Sequence, residues 1–169
     1  MIRPATPDDT PALVTLAVST GLFLPHEADA LLRGVLDELH AGRLGEDQLA
    51  CVWVDGPAGP PAGWVYFSRN AMANQIWDLW WIGVAPLRHG QGIGDELLRF
   101  VEAHVQSAGG RILLIETSSL PKLDRTRKFY AKRGYAACGQ VPDFYADGDD
   151  KVIFVKRIAE KLTESSLVS

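Results

Sequence analysis

Gly90, Gly92 and Gly94 stand at every second position of the stretch RHGQGIGDELL, residues 88–98, just before a helix-like run. The first turn of a helix presents backbone N–H groups without intrahelical partners, together with a partial positive charge. Glycine lets main chain approach a bulky ligand because no Cβ intervenes. These residue types at this spacing point to a cradle for phosphate. Two familiar phosphate loops do not fit. A Walker A loop ends in Gly-Lys-Ser/Thr, which is missing here, and the dinucleotide fingerprint needs GxGxxG after a parallel crossover unit, where this chain reads GQGIG. On the residues alone, a tight strand-to-helix turn without function is the alternative. The four histidines lack the HxxxH spacing of a metal site, so no metal is expected.

Strand and helix signals alternate around that loop. MIRPAT reads as a short strand, and TPDDTPALVTLAVSTGLF as a helix capped by Thr6 or Asp8. HEADALLRGVLDELHAG reads as a second helix whose apolar stripe is Ala28, Leu31, Leu32, Val35 and Leu39. QLACVWV and AGWVYFSR flank the breaker DGPAGPP and form a candidate hairpin. QIWDLWWIGVAP has strand composition and ends at Pro86; its Trp77, Trp80 and Trp81 are read as core. The clearest helix is GDELLRFVEAHVQSAGG, stopped by Gly109-Gly110. RILLIETS is a near-continuous apolar run, as expected of a strand covered on both faces. KLDRTRKFYAKRGY is a basic amphipathic helix, and AACGQVPDFY and DKVIFVKRI are two last strands around the acidic turn ADGDD, read as a solvated tip. The simplest packing of this order is a mostly antiparallel sheet with helices over both faces.

The 169 residues favour one domain, here 1–158, with a polar tail over 159–169. A net charge of −4 argues against a nucleic-acid surface and suits a cationic small substrate. Cys51 and Cys138 form no CxxC pair, which fits a reducing compartment. MIRPATPDDTPALV has no basic region leading into an apolar stretch, and no apolar run has the length of a membrane span. A cytoplasmic location without membrane contact is expected. The aromatic content permits a homodimer and requires none.

From Gln75 to about Ile158 the chain resembles the GNAT superfamily of N-acetyltransferases. The resemblance is carried by WWIGVAP before the loop, the loop and its helix, then LLIETSS and RKFYAKRGY, in that order. It is closest to small bacterial members whose substrates are generally undefined. The family's diphosphate pattern, Arg/Gln-x-x-Gly-x-Gly/Ala, falls on His89, Gly90, Gln91, Gly92, Ile93 and Gly94, with His89 departing from the usual Arg or Gln. The resemblance implies a single-domain α+β (α/β) fold, with a mostly antiparallel mixed sheet of about seven strands, splayed in the middle and flanked by about four helices. It implies acetyl-CoA as cosubstrate and direct transfer in a ternary complex, so that neither cysteine is a nucleophile.

Amide formation from an ammonium needs a base, a donor for the developing oxyanion and an acid for the leaving thiolate. By the same resemblance Tyr130 faces the coenzyme sulfur as the acid, with a core tyrosine as the alternative. Asp78 matches the place where histone-type members carry a catalytic carboxylate. It lies six residues, ~20 Å, before Val84 and would act through water. Glu116 is the second candidate base, and a structural carboxylate is the alternative for both. The main chain of Ile82, Gly83 and Val84 is implied as oxyanion donor and pantetheine partner, Gly83 suiting a bulge. Ser118 and Ser119 border the same slot or simply end a strand. The acceptor is expected to be a primary amine of a small molecule. The rival functions are a non-catalytic acyl-CoA-binding domain and acetylation of a protein N-terminus or lysine.

Overall fold

Residues 1–21, 23–57 and 59–159 are described in a computed structural model. The strands are β1 (Ile2–Pro4), β2 (Gln48–Trp53), β3 (Gly63–Arg69), β4 (Ile76–Val84), β5 (Ile112–Ser118), β6 (Ala136–Ala146) and β7 (Asp149–Arg157). They form one mixed sheet in the order β1-β2-β3-β4-β5-β7-β6. The helices are α1 (Thr10–Ser19), α2 (Pro25–Glu27), running through a π-helical stretch Ala28–Arg33 into α3 (Gly34–His40), then α4 (Ile93–Ser107) and α5 (Asp124–Lys132). The expected α+β class, strand number and helix number are those observed. Of the tail expected from 159, residues 160–169 lie outside the described residues. The contacts divide the chain into two compact units, Met1–Arg69 with Leu79–Val101, and Asn70–Asp78 with the residues from Glu102 onward.

In the first unit β1, β2 and β3 pair antiparallel, Ile2 opposite Trp53 and Cys51 opposite Val65, so the candidate hairpin is present. Its core joins Leu13, Leu16 and Ala17 of α1, Ala28, Leu32 and Leu36 of the second helix, and Val52, Trp64 and Tyr66 of the sheet. Leu31, expected in the apolar stripe, is 56% exposed. The π turn holds more residues per turn than an α-helix, so a spacing of four (Ala28, Leu32, Leu36) keeps one face inward and turns Leu31 out. Thr6 caps the turn before α1, and its N–H and Oγ1 both donate to Asp9 Oδ2 at 2.8 and 2.9 Å. Arg3 donates two bonds to the same buried carboxylate, at 2.7 and 2.9 Å, and holds its pKa down to about 2.

In the second unit β5 and β7 pair antiparallel from Ile112 opposite Arg157 to Ser118 opposite Lys151. β5 is not covered on both faces: Leu113, Ile115 and Thr117 are buried, whereas Glu116 is exposed. The run ILLIETS therefore follows the period-two alternation of a strand with one wet face. β6 pairs with β7 through register shifts, one of them between Val141 and Ala146, with Asp143 in the left-handed region at φ 52°. Tyr130 of α5 packs edge-on or tilted against Phe129, Tyr135 and Phe154, with ring centroids 5.5–6.0 Å apart. Glu102 accepts from Tyr135 Oη at 2.8 Å and from Lys156 Nζ at 2.9 Å.

Among the described residues no helix is long and apolar enough to cross a membrane, and no group of three His, Cys, Asp or Glu side chains could hold a metal ion.

Candidate active site

The glycine loop of the first unit is built by main-chain geometry. A 3₁₀ turn at Pro86–Arg88 ends β4's run, and α4 begins at Ile93. Between them Gly90 and Gly92 adopt φ of +80° and +82°, and a Cβ at either position would meet open space. Glycine is thus required here by the left-handed backbone and not by crowding. Alternating left-handed residues turn successive amides toward one side, the geometry of an anion nest, and the first amides of α4 follow directly. Ile93 is 2% exposed and seats the helix start in the core.

Side chains around the loop brace it. His89 Nε2 donates to the carbonyl of Val84 at 3.0 Å, so the imidazole ties the loop to the end of β4. Arg88 donates to Gln91 Oε1 at 2.8 Å and makes a bidentate pair with Asp55 at 2.7 and 2.9 Å, its guanidinium lying over the Trp53 ring. Trp53 Nε1 in turn donates to Glu96 Oε2 on the first turn of α4, at 2.7 Å. Sequence reasoning did not find Asp55, Trp53 or Glu96, because the first two precede the loop by more than 30 residues and sit in another strand and its exit.

Ile82, Gly83 and Val84 close β4, which runs without interruption to Val84. A Cβ on Gly83 would stand 2.9 Å from Trp64 Nε1 and 3.4 Å from a methyl of Leu16. Glycine here admits the indole of β3. Of the three tryptophans in this strand, Trp77 is fully buried and Trp81 stacks on Tyr66 at 5.2 Å, as core residues should. Trp80 departs from that expectation: it is 50% exposed, with Nε1 donating to Ser68 Oγ.

The second unit holds Asp78, Glu116, Ser118 and Tyr130. Asp78 accepts from Asn70 Nδ2 at 2.8 Å; partial burial is the main cause that raises its carboxyl above the usual range, and the charge of Glu116 adds to it. Asn70 is a positioning partner that no sequence pattern announced. Glu116 is ion-paired with Lys151 Nζ at 2.7 Å. Tyr130 is 3% exposed, and burial pushes its phenol far above its ordinary value. Ser118 is engaged at the end of β5: its Oγ donates to Asp149, and its carbonyl accepts from Arg127 at 2.7 Å. Ser119 Oγ accepts from the amide of Asp150. The acidic turn is therefore not simply a solvated tip, since Asp149 and Asp150 lie in β7 and are bonded, leaving Asp147 in the two-residue turn.

The model of the acetyltransferase (GNAT) domain matches residues 47–137. The chain belongs to the GNAT family of acetyltransferases. A crystal structure assigned to this family, from Desulfovibrio desulfuricans, is 32% identical with a TM-score of 0.83, covering 94% of this chain and 99% of that one. An aminoglycoside 6'-N-acetyltransferase complexed with coenzyme A is 17% identical, with a TM-score of 0.71 and coverage of 96% and 99%. The ribosomal-protein-S18-alanine N-acetyltransferase of Escherichia coli is also 17% identical, with a TM-score of 0.73 and 97% of both chains covered. These last two share the fold, and because one is named for a small-molecule acceptor and the other for a protein, the fold does not choose between acceptors. No curated protein matches the chain. As a GNAT enzyme it is an N-acetyltransferase, a family that uses acetyl-CoA.

Within this GNAT chain the loop suits a diphosphate in one specific sense: its donors are main-chain amides with no Cβ at the two left-handed positions to obstruct them. Cys51 is not set up as a nucleophile: it is buried, which pushes its thiol up to about 11, while Cys138 is exposed on β6.

Proposed function

We propose that this GNAT enzyme transfers an acetyl group from acetyl-CoA directly to a primary amine of a small molecule, in a ternary complex. The observation that carries the reading is the left-handed turn at Gly90 and Gly92 leading into α4, in a chain of this family. Acetyl-CoA, when bound, supplies an activated thioester. The amides of residues 89–94 hold its diphosphate, and the main chain at Ile82–Val84 supplies the pantetheine contact and the oxyanion donor. Asp78 takes the ammonium proton through water. Its half-buried carboxyl, raised above the ordinary range chiefly by burial, is a better base than a solvated aspartate. Glu116, ion-paired with Lys151, is the second candidate base. Tyr130 keeps its proton throughout the physiological range because it is buried, and donates it to the leaving sulfur. A cationic acceptor is favoured by the Asp78 carboxylate and by the exposed ring of Tyr145, since Glu116 and the Phe144 ring are engaged by Lys151.

The test is a calorimetric titration with acetyl-CoA followed by an amine screen that reads free thiol. One-site binding at a hundredfold excess over Kd adds about 2.7 kcal/mol to stability. Binding with thiol release for a small amine, reduced in Tyr130→Phe, is the expected result. Binding without release for any amine would instead make the chain an acyl-CoA-binding module. Turnover confined to peptides would make it a protein acetyltransferase.

A further inference from the structure

Trp80 of the first unit is half exposed, and the way it is held sets it apart from a stray surface ring. β3 alternates, so Trp64, Tyr66 and Ser68 share one of its faces. The Ala85 N–H donates to the Ala62 carbonyl at 2.9 Å, and β3 leads to β4 through a short connection, as antiparallel neighbours do. From that bond inward the ladder brings Trp81 opposite Tyr66, and their rings stack at 5.2 Å with 30° between the planes. Phe23 and Trp64 complete the packing of Trp81, at 5.8 and 5.9 Å. A regular strand would send the preceding residue, Trp80, to the opposite face. Instead Trp80 Nε1 donates to Ser68 Oγ at 2.8 Å, on the face that Tyr66 occupies. Two consecutive side chains on one face mark a β-bulge at Trp80–Trp81, a device by which a strand re-aims a side chain.

The bulge gives the two rings different surroundings. Trp81 packs among three other rings, whereas Trp80 is 50% exposed and pinned through its N–H to a serine that is itself 2% exposed. A ring fixed along its edge by a buried partner offers its face to a ligand at little further cost in entropy. Ile82, where the proposed oxyanion and pantetheine contacts begin, lies two residues on, ~7 Å along the strand. The polar groups nearby define what fits on the ring. Both hydroxyls that β3 turns to this face are engaged: Ser68 Oγ by the indole, and Tyr66 Oη by donation to Oε1 of Gln48, which stands opposite Ser68 in the β2 ladder. A polyhydroxylated amine would give up water here and find neither hydroxyl free. A flat apolar group gives up little and gains an aromatic stack. We propose that Trp80 is a specificity-determining platform: it stacks on an aryl group of the acceptor, and so selects arylalkylamines over amino sugars and simple alkylamines. That the amine then meets the thioester rests on the acetyl-transfer reading; that the ring binds an aryl group does not.

Binding and turnover are read separately, with 2-phenylethylamine as the probe and glucosamine and n-butylamine as comparators. Saturation-transfer NMR on the full chain loaded with coenzyme A, which has no acetyl group to give, reports contact with the ring protons of the probe. That contact is present in the wild type, lost in Trp80→Ala and partly kept in Trp80→Phe. In turnover, kcat/KM for 2-phenylethylamine exceeds that for n-butylamine by about tenfold, and the ratio falls to near unity in Trp80→Ala, mainly through KM. Ser68→Ala keeps the ring but removes its anchor, and lowers the ratio by a few-fold. Should Trp80→Ala not fold, Trp80→Leu takes its place with the same expected loss, since it keeps apolar bulk without an aromatic face. The proposal is overturned if the wild type prefers glucosamine or n-butylamine, or if the ring contact and the ratio survive the loss of the indole. Ring contact that depends on Trp80, with no amine turned over, sinks the transfer reading and leaves the aryl site standing. Turnover of small amines that is indifferent to Trp80 has the converse meaning.

Discussion

The two units solve the problem of holding charge in opposite ways. In the first, the proposed phosphate cradle is made of main chain: Gly90 and Gly92 set the direction of amides that any residue would possess, and side chains such as Arg88 and His89 brace the loop. In the second, the candidate chemistry belongs to side chains whose behaviour depends on neighbours from other strands. Their carboxylates show the same contrast. Asp9 in the first unit is fully paired by Arg3 and Thr6 and is held down to about 2, whereas Asp78 in the second has one neutral donor, a like-charged neighbour and a raised pKa. A structural carboxylate is stabilised in its charged form. A carboxylate that is to accept a proton is kept short of that stabilisation.

The strongest way to break this comparison is Tyr130→Phe, which removes one oxygen from the second unit. We expect kcat to fall by about a hundredfold or more, the usual scale for a lost general acid, with acetyl-CoA affinity unchanged in a calorimetric titration. Gly92→Val should do the reverse. A β-branched residue at φ +82° distorts the loop, so the acetyl-CoA Kd should weaken by about tenfold, with kcat at saturation retained. If either variant changes both quantities alike, the division between main-chain binding and side-chain chemistry fails.

Smaller effects sharpen the carboxylate pair. The Asp9 pKa lies below its unfolded value, so its contribution to stability is present above pH 4 and is lost as pH falls toward 2. Asp9→Asn should therefore cost about 2 kcal/mol at pH 7 in urea unfolding, with the difference closing in that acid window. Asp78 has the opposite sign: its raised pKa opposes folding once pH rises through the folded value. Asp78→Asn should have a Tm above that of the wild type at pH 8 and equal to it near pH 4, while its kcat/KM is reduced. Last and smallest, Asp55→Asn removes an exposed partner of Arg88, and acetyl-CoA binding should weaken by a few-fold at most.

Most of the fold was legible because burial imposes period. The alternation in QLACVWV and AGWVYFSR, and the spacing of Leu97, Val101 and Val105 in α4, report which face points inward. Misreadings occurred where a local pattern had more than one cause. Leu31 fits a 3.6-residue stripe, but the π turn displaces it; ILLIETS looks covered on both faces, but Glu116 meets water; Trp80 is apolar in type and outward in place. In the candidate site the loop was legible, since left-handed backbone requires glycine. The partners of the carboxylates were not, since Asn70, Lys151 and Phe144 have no spacing relation to Asp78 or Glu116 that a linear motif would display.

The sequence by itself determined the order and type of the elements, the glycine turn before α4 and the family that these define. These are properties of neighbouring residues along the chain: backbone preference and the periodic burial of apolar side chains. Only the tertiary structure decided what each charged group experiences. That Arg3 meets Asp9, Arg88 meets Asp55 and Lys151 lies between Glu116 and a ring follows from the strand register and a shift within β6. Electrostatic energy depends on separation in space and on access to water, and neither quantity is carried by sequence distance.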